Sequence, residues 1–122
     1  MGRLRLKRVY EPAAPGDGSR VLVDRLWPRG VSRKAAKLDL WLKEIAPSTE
    51  LRTWFGHEPA RFDAFRERYF RELEGNPAPV AELCALVEGN DVTLLYGAHD
   101  PQLNQAVVLA EFLEKRGCKR EG

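Results

Sequence analysis

The sequence has little of what a metal centre, a disulfide framework or a membrane span requires. It contains 2 cysteines and 2 histidines in 122 residues, without CxxC spacing or a cluster of metal-ligating side chains. No apolar run approaches the roughly 18–20 residues that cross a bilayer. The basic start of the chain also lacks the apolar segment of a signal peptide. We therefore expect a cytoplasmic protein with reduced thiols, no metal, no cofactor and no membrane partner.

The chain also lacks a charge of one dominant sign. Its 20 basic residues nearly balance 18 acidic ones, and the formal net charge is +2. Because the two signs of charge nearly cancel, the chain as a whole has no strong attraction to nucleic acid. Local basic clusters in residues 3–8 and 29–37 nevertheless keep a nucleic-acid partner as an alternative to be tested.

What is present is the composition of a globular protein, with 43% hydrophobic and 31% charged residues. We predict one domain over residues 1–122. Apolar alternation and β-branched runs predict strands. Three- and four-residue apolar spacing predicts helices, with Ser32 and Ser48 at two of their starts. The predicted strands are 4–10, 20–26, 38–45 and 91–97, and the predicted helices are 32–37, 48–55, 62–75, 78–88 and 104–116.

One of these segments is ambiguous. The leucines of residues 38–45 fit a strand, whereas Leu38, Trp41, Leu42 and Ile45 fit a helix face. We choose the strand because Ala46-Pro47-Ser48 stops the pattern abruptly.

Strands that alternate with helices predict the α/β class, with a small, largely parallel sheet flanked by helices. In such sheets ligands bind beyond the carboxyl ends of the strands. The segments that leave those ends are residues 24–30, 44–48 and 97–104. We therefore expect the binding site among these three segments.

The first of them, residues 24–30 (DRLWPRG), brings charge and an indole out of an apolar strand. Arg25 and Arg29 offer planar donor forks for a carboxylate or phosphate, and Trp27 offers a stacking face. Asp24 can orient an arginine or act as a base. These residues predict a small anionic ligand; in the alternative interpretation Asp24 pairs with Arg25 and the tryptophan only closes the core.

A histidine marks a second candidate position. His57 follows a glycine between two predicted helices, where its side chain can reach a cleft and transfer a proton near neutral pH. We name His57 and Asp24 as the candidate catalytic residues. Alternatively, His57 caps a helix end.

The late strand and the helix after it supply the third candidate group. Tyr96, Asp100 and Asn104 lie around a loop that leads to a helix N-terminus, which favours anions. We add them to the candidate ligand-binding residues. Capping of the last helix by Asp100 or Asn104 is the alternative interpretation.

Several motifs along the chain resemble a known family. VLVDRLWPRG at 21–30, APS at 46–48, WFGHEP at 54–59 and VTLLYGAHD at 92–100 occur in this order. A helix start with Asn104, Ala106, Val107 and Leu109 follows. Together they resemble the YeaO-like branch of the domain-of-unknown-function 488 family over nearly the whole chain.

The resemblance implies an α/β protein of bacteria or archaea without an established activity. The wider family often carries a cysteine at the end of the late strand and a Cys-His-Arg triplet at the next helix. This chain has Tyr96-Gly97 and Asn104-Gln105-Ala106 in those places. At these positions the chain departs from the pattern on which a thiolate or Cys/His/Arg mechanism of the wider family would depend, and the remaining candidates are oxygen and nitrogen groups.

Two classes of function follow. The first is a small-ligand site at the strand ends, with or without chemistry on the ligand. The second is a non-catalytic binding or regulatory module for nucleic acid or a protein partner. A homodimer formed through Trp41 or Trp54 is a further expectation.

Overall fold

The computed structural model describes residues 3–116 of the chain. The strands and helices appear in the predicted order, with short 3-10 turns at Pro15–Asp17, Lys43–Ile45 and Pro59–Arg61. The strands are β1 (Leu4–Arg8), β2 (Ser19–Leu22), β3 (Leu40–Trp41) and β4 (Val92–Tyr96). The helices are α1 (Arg33–Ala36), α2 (Thr49–Phe55), α3 (Phe62–Glu74), α4 (Pro77–Gly89) and α5 (Gln105–Lys115).

The strands form one parallel sheet in the order β1-β4-β2-β3, which confirms the predicted α/β class. Leu94 of β4 lies opposite Leu6 on one side and Val21 on the other. All five residues of β4 are buried. The β-branched, apolar sequence of this strand suits a position with neighbours on both edges and cover on both faces.

The two faces of the sheet are covered differently. Val21 and Val23 belong to the main core together with side chains from α2, α3, α4 and α5. Leu22 points the other way and packs with Trp27 and Trp41, which come from loop and edge-strand positions. All three residues of the Val-Leu-Val run are fully buried, as the predicted two-sided cover of β2 requires.

A buried ionic cluster lies on the sheet face of Leu22. The Asp17 carboxylate, 4% exposed, accepts hydrogen bonds from Lys7 and Arg20. Its backbone carbonyl accepts the Thr93 hydroxyl at 2.7 Å. Burial alone would raise the pKa of Asp17, but hydrogen bonds from Lys7, the Ala14 N–H and Arg20 lower it to about 2. The cluster therefore anchors the Pro15–Asp17 turn to the sheet.

Side chains begin the helices as the sequence predicts. Ser32 accepts a hydrogen bond from the Ala35 N–H, and Ser48 accepts one from the Leu51 N–H. Each oxygen satisfies a backbone donor that has no partner inside the first helical turn.

Two predictions need correction. Residues 38–45 form only the two-residue strand β3 and a 3-10 turn at Lys43–Ile45, because the chain turns away from the sheet after pairing Trp41 with Leu22. Cys84 is disulfide-bonded, so reduced thiols were the wrong expectation for it. The other cysteine, Cys118, lies outside the described residues.

Candidate ligand-binding site

A cleft lies at the carboxyl ends of the strands, where the three predicted segments meet. Its volume is about 240 Å³. Residues 24–28, 46–47 and 97–98 contribute to its lining, together with Tyr10, Arg52, Phe55, His57, Phe65 and Gln105. The parallel sheet thus brings together segments that are more than 70 residues apart in the sequence.

Asp24 links two strand ends within this cleft. Its Oδ2 accepts a hydrogen bond from the Gly97 N–H at 2.9 Å, and its Oδ1 accepts one from the Gln105 side-chain amide. Burial raises the pKa of Asp24 to about 6, although these two hydrogen bonds and the positive charge of Arg52 act in the opposite direction. A desolvated carboxylate of this kind can bind a cation or exchange a proton near neutral pH.

Gly97 allows the close approach to Asp24. A Cβ atom at position 97 would lie 3.0 Å from the Asp24 Oδ2. That distance is shorter than an ordinary van der Waals contact, so a side chain there would displace the carboxylate.

Arg25 is held by the neighbouring loop rather than by Asp24. Its Nε donates to the Pro47 carbonyl at 3.1 Å and its Nη2 donates to the Ala46 carbonyl at 3.0 Å. Arg25 also lines the cleft. The guanidinium therefore fixes the position of residues 46–47 beside Asp24 and leaves part of its donor fork for another partner.

Trp27 forms a wall of the cleft. Its indole N–H donates to the Val31 carbonyl at 2.7 Å, and its ring meets Trp41 edge to face with centroids 5.3 Å apart. The Arg33 guanidinium lies 4.4 Å from the Trp27 ring centroid. Trp27 is thus fixed on several sides, and it gives the cleft a rigid apolar surface.

His57 reaches the cleft from the turn after α2. It is exposed and has a positive φ of 60°, following Gly56 at 53°. Its ring centroid lies 5.9 Å from that of Phe55, which stacks on Phe65 at 4.4 Å. The structure therefore places His57 at the same cleft as Asp24.

Arg29 and Tyr96 lie outside the lining of the cleft. Arg29 is exposed, and its backbone carbonyl accepts a hydrogen bond from the Tyr10 hydroxyl at 3.0 Å. Tyr96 is buried in the main core at the end of β4.

Asp100 and Asn104 also lie outside the lining and shape the start of α5. The Asp100 Oδ1 accepts hydrogen bonds from the backbone of Gln102 at 2.8 Å and Leu103 at 3.1 Å. The Asn104 Oδ1 accepts the Val107 N–H at 3.1 Å. Asn104 therefore caps α5, as the alternative interpretation expects, whereas Asp100 stabilises the loop that precedes this helix.

Sequence reasoning missed Arg52 and Gln105 as cleft residues. Arg52 lies one helical turn before the buried Phe55, so their shared face of α2 was a signal that could have revealed it. Gln105 begins α5 directly after the capping residue. Its role depends on a contact with Asp24 that no local pattern contains.

The basic cluster of residues 3–8 is largely used inside the fold. Arg5 donates to the Gly16 carbonyl, Lys7 pairs with Asp17, and Arg8 donates to the Ala98 carbonyl at 2.8 Å. Nucleic-acid binding stays a prediction, which retention on a DNA or RNA column at low salt would test.

The aromatic residues considered for a homodimer also have intramolecular contacts. The Trp41 indole N–H donates to the Asp24 carbonyl at 2.7 Å, and Lys43 lies 5.1 Å from the Trp41 ring centroid. Arg61 and Arg68 lie over the ring of Trp54. The oligomeric state stays a prediction for light scattering.

Two further findings concern residues 3–116. No helix in this part of the chain is long and apolar enough to cross a membrane. The same residues contain no group of three or more His, Cys, Asp or Glu side chains placed to hold a metal ion.

Comparison with known proteins places the chain in a family. A family model described as the inactive DUF488-N3 subclade matches residues 3–121. The chain is 46% identical to the uncharacterized protein YeaO of Escherichia coli over 90% of this chain and 96% of that protein. It is 44% identical to an uncharacterized protein of Mycobacterium tuberculosis over 93% of this chain and 96% of that protein. No solved structure matches it. The chain therefore belongs to the inactive DUF488-N3 subclade of YeaO-like proteins.

Proposed function

We propose that this protein binds a small ligand with an anionic group in the cleft above Asp24, without transforming it. The observation that carries the proposal is the Arg52 side chain in the lining of the cleft. Among residues 3–116, no hydrogen bond or ion pair engages its guanidinium. Arginine at a concave, mostly apolar site is well suited to hold a carboxylate or phosphate.

The neighbouring groups support the same assignment. His57 lies on the cleft beside the turn that follows α2, and Arg25 has donor capacity beyond its two backbone partners. Together these side chains can surround one anionic group from two sides. Phe55 and Phe65 supply an apolar surface for the rest of the ligand.

The contacts of Asp24 favour binding over chemistry. Gly97 and Gln105 stand where the wider family often has a thiol and a Cys-His-Arg triplet, and here both donate hydrogen bonds to Asp24. They therefore supply no nucleophile. The family description as inactive supports a role without catalysis.

A titration with small anions tests the proposal. Inorganic phosphate, benzoate and 3-phenylpropionate are titrated into the full-length protein by calorimetry. We expect saturable binding of at least one of them, weakened about tenfold in Arg52→Gln, which corresponds to roughly 1.4 kcal/mol. Arg29→Gln is the matched control, because Arg29 is an exposed arginine near the same sheet edge but outside the lining. Equal affinity in both variants would remove Arg52 from the site.

One observation favours an enzymatic alternative. Asp24 has a pKa raised by burial to about 6 and shares the cleft with His57, which suits proton transfer. In this alternative Asp24 and His57 are the catalytic pair. Incubating the protein with each bound probe and following the probe by NMR separates the two functions. Conversion of a probe by the protein, abolished in both Asp24→Asn and His57→Gln, would favour the enzyme.

A further inference from the structure

We infer that the ligand is a zwitterion of amino-acid size, with an ammonium group on Asp24, a carboxylate on Arg52 and an apolar side chain between them. The inference rests on the proposed function and names the chemical class of its ligand. Its basis is the juxtaposition, within one cleft, of a carboxylate, a guanidinium that makes no hydrogen bond or ion pair in residues 3–116, and an aromatic surface.

The Asp24 carboxylate favours a ligand that donates hydrogen bonds to it. Gly97 donates one hydrogen bond to its Oδ2, and Gln105 donates one to its Oδ1. A carboxylate can accept about four hydrogen bonds in all. A ligand that was anionic throughout would bring a second negative charge against this carboxylate and strip its remaining water. A ligand with a positively charged donor at this position avoids both costs.

Arg52 supplies the opposite charge along the same cleft. It extends from α2, whereas Asp24 extends from the end of β2, so the two charges belong to different elements of the fold. Their interaction is Coulombic only, without a direct ion pair in residues 3–116. Because both side chains line one cleft without pairing with each other, a ligand with both charges can satisfy each of them.

The apolar surface of the cleft fits the third part of the ligand. Phe55 and Phe65 are 5% and 2% exposed and stack on each other. Tyr10 and Leu26, at 46% and 60%, are exposed residues that also line the cleft. Covering them with an apolar group removes hydrocarbon from water, which contributes roughly 25 cal/mol per Å².

The size of the cleft limits the ligand. Its volume of about 240 Å³ lies below the roughly 300–1,000 Å³ of sites for drug-sized molecules. An amino acid with an aromatic side chain is the size of ligand that this volume favours.

Three matched probes test the inference by calorimetry at pH 7.5. L-Phenylalanine has both charges, 3-phenylpropionate lacks the ammonium group, and 2-phenylethylamine lacks the carboxylate. We expect phenylalanine to bind at least tenfold more tightly than either of the others. The Asp24→Asn variant should lose most of the preference for phenylalanine over phenylpropionate, whereas Arg29→Gln should keep it.

The outcomes separate this inference from the proposed function. Equal binding of 3-phenylpropionate and phenylalanine would overturn the zwitterion and leave an anion site in place. Tighter binding of 2-phenylethylamine than of the other two probes would overturn the role of Arg52. Absence of binding by all three probes, and by phosphate and benzoate, would overturn the site itself.

Discussion

The carboxylate of Asp24 accepts the backbone N–H of Gly97 at 2.9 Å and so joins the ends of β2 and β4. The contact places a negative charge in a cleft that also holds Arg52. Burial of this charge costs free energy of folding, and a second hydrogen bond, donated by Gln105, offsets part of that cost. A destabilising group retained in a cleft is typical of a binding site.

Replacing Gly97 tests this contact. Gly97→Ala adds a Cβ atom 3.0 Å from the Asp24 Oδ2, so the carboxylate must move. We expect a loss of about 1 kcal/mol in the free energy of unfolding, measured in urea, and weaker probe binding. Gly89→Ala is the control, because its Cβ meets nothing within 4 Å. Unchanged stability and probe binding in Gly97→Ala would show that the contact is loose.

The ionisation of Asp24 predicts a pH dependence. Its pKa is 3.8 in the unfolded reference and about 6 in the folded protein, so the folded state binds more protons between these values. The contribution of Asp24 to stability therefore falls as the pH rises from 4 to 6. The free energy of unfolding of Asp24→Asn, relative to that of the wild type, should therefore increase by about 1–3 kcal/mol from pH 4 to pH 7. Urea unfolding at both pH values measures it, and a constant difference would contradict the raised pKa.

Asp17 predicts the opposite dependence. Its pKa falls from 3.8 to about 2 on folding, so its stabilisation is present above pH 4 and is lost as the pH falls toward 2. Asp17→Asn should cost about 3 kcal/mol at pH 7, because Lys7 and Arg20 would lose their carboxylate partner.

The pair of Arg66 and Glu111 is the control for Asp17. Its side chains are 29% and 36% exposed, and Glu111→Gln should cost less than about 1 kcal/mol. Equal costs for Asp17→Asn and Glu111→Gln in thermal unfolding would mean that burial does not strengthen the Asp17 cluster.

Arg25 predicts a combined effect on stability and binding. Arg25→Ala removes both hydrogen bonds to residues 46–47, and we expect a loss of about 1–3 kcal/mol in thermal unfolding. Probe binding should weaken as well, since these residues line the cleft. Lost binding at wild-type stability would instead assign Arg25 to the ligand alone.

Local patterns explain which parts of the fold the sequence could predict. The apolar run around Leu22 and the oxygens of Ser32 and Ser48 act within a few residues, so strands and helix starts are visible in the chain. The sequence of residues 38–45 fits both the alternation of a strand and the spacing of a helix face. The pairing of Trp41 with Leu22 in the folded sheet decides between them.

The candidate site was harder to predict for a related reason. Asp24 could be selected because a carboxylate at a strand end is chemically conspicuous. Its partners Gly97 and Gln105 lie 73 and 81 residues away, and their contacts exist only in the folded sheet. Arg52 shares a face of α2 with Phe55, but only the folded cleft brings this face next to Asp24.

We propose that the cleft binds a small charged ligand between Asp24 and Arg52. The most direct measurement is an amide NMR titration of the full-length protein with L-phenylalanine, following the Gly97 backbone amide and the Gln105 side-chain amide. We predict saturable shifts of both signals in the wild type and in Arg29→Gln, and strongly reduced shifts in Arg52→Gln. Shifts confined to residues outside the cleft, or unaltered by Arg52→Gln, would contradict the claim.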